Sequence, residues 1–152
     1  MPKIDLAKAP VRIGTAYPAP YDVPCRARHR VRLGDAAGLT DFGVNLLTLQ
    51  PSVWSSQRHW HLKEDEFVYV LSGEVVLVTD AGEEVLKAGD CAGFPKNDGN
   101  GHHLINRSDQ PAQLLEIGTR SGGDTATYPD IDLALDPEKG YLHRDGTPYS
   151  GA

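Results

Sequence analysis

The sequence reads as an all-β domain, a sandwich or jelly-roll barrel, and three observations carry that reading. Glycine and proline are frequent, at 16 and 11 residues. The apolar runs are short and separated by turn clusters, and no window shows strong 3.6-residue periodicity. Short strands at such spacing close on themselves rather than spread into an open sheet, hiding their edges and leaving a central cavity.

In chain order, Pro10, Pro18, Pro20 and Pro24 punctuate an extended lead-in over residues 1–40. A first strand is expected at Arg26–Leu33, before the turn Gly34–Gly38. The barrel proper is expected over 41–120, from strands Phe42–Gln50, Glu66–Leu71, Glu74–Thr79, Glu84–Lys87, Cys91–Phe94, His102–Asn106 and Ala112–Ile117. Turn clusters at Ser72–Gly73, Asp80–Gly82, Ala88–Asp90, Asn97–Gly101 and Arg107–Gln110 bound them. Residues 121–152 hold Pro129, Pro137 and Pro148 with scattered Ile131, Leu133, Leu135 and Tyr141, and read as an arm anchored on the barrel or on a neighbouring subunit. Within it, Asp132–Lys139 has room for a helical turn or two before Gly140.

Composition narrows the partners. A chain of 152 residues buries roughly two-thirds of its unfolded surface without staples. Fifteen Lys and Arg against 21 Asp and Glu, a formal charge of -6, oppose attraction to nucleic acid or anionic lipid. The first ten residues contain no apolar leader and no later stretch approaches a membrane span, so a cytoplasmic protein is expected. That expectation also sets aside the glycosylation triplet at Asn106. Cys25 and Cys91 are expected as reduced thiols, Cys91 as a small buried hydrophobe.

The chemistry concentrates in H-W-H-L-K-E-D-E-F-V-Y-V-L-S-G, from His59 to Gly73. Side chains alternate faces along a strand, so His59 and His61 point the same way and can close on one ion, with Glu66 on the same wall. If Glu66 faces inward, Val68 and Val70 do too and form a dry pocket wall, while Trp60, Phe67 and Tyr69 face outward. Gln57 shares parity with His59 and reads either as a polar substrate contact or as a solvated loop residue. Arg26, Arg28, Arg30 and Arg32 repeat with period two; they read first as a charged edge strand guarded from aggregation, and second as an anion-binding wall. Gly99-Asn100-Gly101 reads as a tight turn, and His29 and His143 as surface or packing residues.

A second block, Gly89 to Asn106, completes a pattern that resembles the cupin superfamily. The form G-x5-H-x-H-x3,4-E-x6-G is met at His59, His61, Glu66 and Gly73, with Val53 where the opening glycine belongs. The form G-x5-P-x-G-x2-H-x3-N is met at Gly89, Pro95, Gly99, His102 and Asn106, with two extra residues between Pro95 and Gly99. The resemblance implies a double-stranded β-helix holding one divalent transition metal, Fe, Mn, Ni, Cu or Zn, through His59, His61, Glu66 and His102. Three nitrogens and one oxygen suit such ions and leave positions of a six-coordinate ion for water or substrate. Spacing to Asn106 selects His102 over His103, which is expected to face the outer layer. The superfamily spans many reactions, so two functions stay open. One is a metal-dependent enzyme of oxygenase, isomerase or lyase type acting on a small polar or anionic molecule, with no separate general base evident. The other is a non-catalytic binding or sensor barrel. A homodimer whose N-terminal arm crosses to its neighbour is expected under either.

Overall fold

A computed structural model describes residues 3–150. Its strands are β1 Val11–Ile13, β2 His29–Arg32, β3 Phe42–Leu49, β4 Trp60–His61, β5 Glu66–Ser72, β6 Glu74–Thr79, β7 Gly82–Lys87, β8 Cys91–Phe94, β9 His103–Ile105, β10 Ala112–Thr119, β11 Ala126–Thr127, β12 Ala134–Asp136 and β13 Gly140–Leu142. One layer is a six-stranded sheet in the order β1-β2-β3-β10-β5-β8. Facing it are a three-stranded sheet, β7-β6-β9, and a four-stranded sheet, β13-β12-β11-β4. His59 and His102 join these two by reciprocal backbone hydrogen bonds, 2.9 and 3.2 Å long. The fold is the expected jelly-roll barrel. No helix among the described residues is long and apolar enough to cross a membrane.

The period-two pattern positions the core. Leu47, Leu49, Val68, Val70, Val75, Leu77, Leu86, Leu104, Ala112 and Leu114 point between the layers and bury one another. Each fully buried Leu or Val contributes about 1.5–3 kcal/mol relative to exposure. Phe67 and Tyr69, the alternate residues of β5, stand outward at 38% and 39% exposure. Gly73 turns β5 into β6 with a φ of 74°, and a Cβ there would meet Pro111 O at 2.6 Å, so glycine is required on both counts. Asn106 is fully buried and serves structure: its Nδ2 donates to Leu49 O and Gln110 O, each 2.8 Å, while its Oδ1 accepts from the Ser108 backbone and hydroxyl.

Several expectations are corrected. Cys91 is exposed, because it sits on the outer face of β8 opposite Tyr69; Cys25 is the buried thiol. The strand expected at Arg26–Leu33 is only His29–Arg32, since Val23–Cys25 forms a 3-10 turn and Leu33–Ala36 a short helix. It is also no edge, because β1 pairs with it on one side and β3 on the other. Asp132–Lys139 holds no helix: Asp136 Oδ1 accepts the backbone N–H groups of Glu138 and Lys139, and Gly140 at a φ of 80° closes the β12–β13 hairpin. His103 is buried, donating from Nδ1 to Ser56 O at 2.9 Å and meeting Trp54 edge-on, rather than facing outward.

The arms form a second apolar cluster. Tyr17, Cys25, Ala126, Tyr128 and Leu133 are buried together, with Tyr21, Trp54, Tyr141 and Tyr149 packed around them. Tyr17 meets Tyr128 edge-on at 5.8 Å and Tyr141 at 5.2 Å. The lead-in packs on this chain's C-terminal arm at this point. His143 lies in that arm too, bonded to Asp132 at 2.7 Å and stacked on Tyr149.

Candidate metal centre and cavity

His59 and His102 are held by their shared backbone bridge, His61 lies two residues on in β4, and Glu66 opens β5 across from Phe94. Phe94 stacks flat on the His102 ring at 3.6 Å and fixes its plane. The polar atoms converge. His59 Nε2 lies 3.1 Å from His61 Nε2 and 3.4 Å from Glu66 Oε1, and His102 Nε2 lies 3.0 Å from Glu66 Oε2. His61 Nε2 also contacts Glu66 Oε1. His59, His61 and Glu66 present one ligand atom each within a common 4.8 Å span, and His102 adjoins them through the other oxygen of Glu66.

The tautomers show what this cluster accommodates. His59 Nδ1 lies 2.8 Å from the Gln57 carbonyl, which only accepts, so Nδ1 carries a proton. His61 Nδ1 lies 2.5 Å from the Asp124 carboxylate, and the same reasoning places a proton there. Both Nε2 lone pairs then face each other and Glu66, an arrangement that suits a cation between them. Bonds of about 2.1 Å at right angles put neighbouring ligand atoms about 3.0 Å apart, the spacing seen here. The donor set fits a divalent transition ion. The Asp124 carboxylate behind His61 is the outer partner that orients such ligands.

Electrostatics agree. Burial disfavours charge on His61, but hydrogen bonds and charge from Glu66 and Asp124 overcome it and raise its pKa to about 9, the proton filling the cation's place. Burial would raise Glu66, yet the surrounding imidazoles of His102, His59 and His61, wherever they carry a proton toward it, hold it ionised well below its usual range. Burial lowers His102 more than Glu66 raises it.

These residues line a cavity of about 350 Å³, within the lower range of small-molecule sites. Val68 lines it; Val70 lies in the barrel core, and Gln57 does not line it. Gln57 instead turns its amide to Tyr21 O at 2.8 Å. The parity argument fails for Gln57 because no strand runs through it. Arg12, Arg28, Arg30 and Arg120 also line the cavity, with Glu64, Glu116 and Tyr128. Glu64 accepts the Ser121 N–H at 3.0 Å, and burial first, then the Asp124 charge, raises its carboxyl above the ordinary value against that hydrogen bond. Sequence reasoning missed Asp124, Glu64 and Tyr128. Asp124 meets His61 across 63 positions of chain, so no local spacing announces it.

A model of the cupin domain matches residues 45–118. The chain is also 45% identical to a sugar phosphate isomerase from a cupin superfamily of Silicibacter pomeroyi, covering 99% of this chain and 98% of that one at a TM-score of 0.91. The chain belongs to the cupin superfamily. This cupin is further similar to an inferred sugar phosphate isomerase of Acidithiobacillus ferrooxidans, 32% identical over 76% of this chain and 74% of that one, TM-score 0.71. A predicted oxalate decarboxylase of Thermotoga maritima shares the fold at 17% identity, covering 78% of this chain and 99% of that one, TM-score 0.59. A comparison with curated proteins returned no match.

Proposed function

We propose that this cupin is a metal-dependent isomerase of small phosphorylated sugars. The observation that carries the reading is one cavity joining the His/Glu cluster to an arginine-bearing wall. Two neighbours at 45% and 32% identity described as sugar phosphate isomerases support it. His59, His61, Glu66 and His102 would hold the ion, which when bound supplies Lewis acidity toward a carbonyl or hydroxyl oxygen.

The chain's own residues supply the rest. Aldose–ketose interconversion moves a proton between adjacent carbons with no net oxidation, so one group must take and return it. Glu116 is engaged by the Arg30 guanidinium at 2.6 and 3.0 Å, and Glu66 by imidazoles. Glu64 is the cavity carboxyl held by neither kind of partner, only by Ser121, and takes the acid–base role. Tyr128, buried and with its pKa pushed well up, stays protonated and closes the wall against water.

The test is proton NMR in D2O with a panel of pentose and hexose phosphates and the metal-loaded protein. Interconversion with deuterium entering at the carbon beside the carbonyl, lost in Glu64→Gln, supports the assignment. Saturable binding of the sugar phosphates without any exchange or turnover would replace it by the binding-protein reading.

A further inference from the structure

The four arginines of the cavity are not equivalent. Arg30 is neutralised by Glu116 and Arg120 by Asp35 at 2.6 Å. Arg28 is 5% exposed and forms no ion pair with any carboxylate among the described residues. Its terminal nitrogens donate to Ser55 O at 2.7 Å and Gly14 O at 3.0 Å, and its Nε is buried with no partner. Arg12, in register with Arg30 across β1 and β2, faces the same cavity and likewise forms no ion pair. Arg12 in β1 and Arg28, just ahead of β2, thus carry two cationic charges with no ion-pair partner among the described residues.

A guanidinium does not shed its proton, and a buried charge without a partner is expensive. Two backbone carbonyls orient Arg28 but do not cancel its charge. We propose that Arg28 and Arg12 form an anion subsite that takes the phosphate of the substrate and so sets its distance from the reacting carbons; this rests on the isomerase reading above. In the sheet order, β2 is three steps from β5, where Glu66 sits. At about 4.8 Å per step that is roughly 14 Å between backbones along the sheet, a separation that the inward-pointing side chains shorten. A ligand filling both carries its anion several bonds away from the oxygen that meets the His/Glu cluster. The subsite therefore selects terminal phosphate esters over neutral sugars.

The test uses the full chain and inorganic phosphate as probe, by calorimetry, with Arg12→Met, Arg28→Met, Arg28→Lys and His59→Ala/His61→Ala. Saturable phosphate binding is expected in the parent and in the histidine double variant. It should weaken at least fivefold in Arg12→Met and more than tenfold in Arg28→Met, with Arg28→Lys between. Arg12 is exposed and makes no side-chain hydrogen bond, so its variant carries the test if Arg28→Met does not fold. Parent-like phosphate binding in a folded Arg12→Met and Arg28→Lys, or loss of binding only in the histidine variant, overturns the subsite. Sugar phosphate turnover with an unchanged KM in the arginine variants overturns it too. Phosphate binding that follows the arginines, in a protein that isomerises nothing, keeps the subsite and sinks the isomerase reading instead.

Discussion

Asp124→Asn is the most informative single change at the metal centre. Asp124 Oδ2 lies 2.5 Å from His61 Nδ1, and its Oδ1 accepts the Lys63 N–H at 2.8 Å. Both partners donate, so a carboxylate satisfies both. Asparagine has one oxygen and one NH2, and whichever way it turns, one donor meets another donor. The loss is one hydrogen bond to a charged acceptor, about 1.5–3 kcal/mol. If that falls on His61, metal affinity drops about 10- to 100-fold, as expected for an outer-shell partner. The assay is competition of Zn(II) or Co(II) between the protein and a chromophoric chelator, with thermal unfolding of both proteins as the control for folding. A folded Asp124→Asn variant that binds Zn(II) within twofold of the parent would refute the orienting role.

Further outcomes follow from the same geometry. His102→Ala should lower metal content, measured by elemental analysis, whereas His103→Ala should retain it and instead unfold earlier, having left Ser56 O without its buried partner. Metal-free protein should gain stability from the raised His61, an effect fully present below the unfolded value near 6.5 and lost as pH rises through about 9. Metal uptake releases that proton, so apparent affinity should weaken close to tenfold per unit as pH falls from 9 toward 7; a pH-independent affinity would contradict the shared cation site. Leu114→Ala, at a fully buried position between β3 and β5, should cost about 2–5 kcal/mol in denaturant unfolding. We propose a homodimer through the outer face bearing Phe67, Tyr69 and Leu71; sedimentation should give a dimer at micromolar concentration and a monomer for Tyr69→Lys, and a monomeric parent would count against it.

The barrel was legible in the sequence because its strands, β4 and β9 excepted, are four to eight residues long and separated by turn clusters with a chemical cause. Cys91–Phe94 and Glu74–Thr79 have the expected bounds, and Phe42–Gln50 differs by one residue. The arms were not legible, because β1, β11, β12 and β13 hold two or three residues each and too little periodicity to register. They exist because Tyr17, Tyr128 and Leu133 pack together, a tertiary cause with no local pattern. The same limit applies at the site. The spacing of His59, His61 and Glu66 is local and visible. The arginine stripe was visible as a stripe, but only the pairing of Arg30 with Glu116, 86 positions away, separates a neutralised arginine from the uncompensated Arg28.

This division bears on what the family match carries. Residues 45–118 contain the three histidines and Glu66, so the His/Glu end of the cavity comes with the barrel. Arg12, Arg28, Asp124 and Tyr128 lie outside that range, in the segments that flank it, yet three of them line the cavity and the fourth holds His61. The arms therefore complete the site rather than decorate the barrel. Arg28 holds Gly14 O of the lead-in, and Tyr17 of the same lead-in packs on Tyr128 beside His59, so the arginine wall and the histidine floor of the cavity are joined through one set of contacts. A protein matching the barrel alone shares the floor without the wall, whereas the Silicibacter pomeroyi structure, aligned over 99% of this chain, spans both. Substrate preference is then expected to follow the arms, and exchanging residues 10–32 between two such cupins should move the phosphate affinity while leaving metal affinity in place.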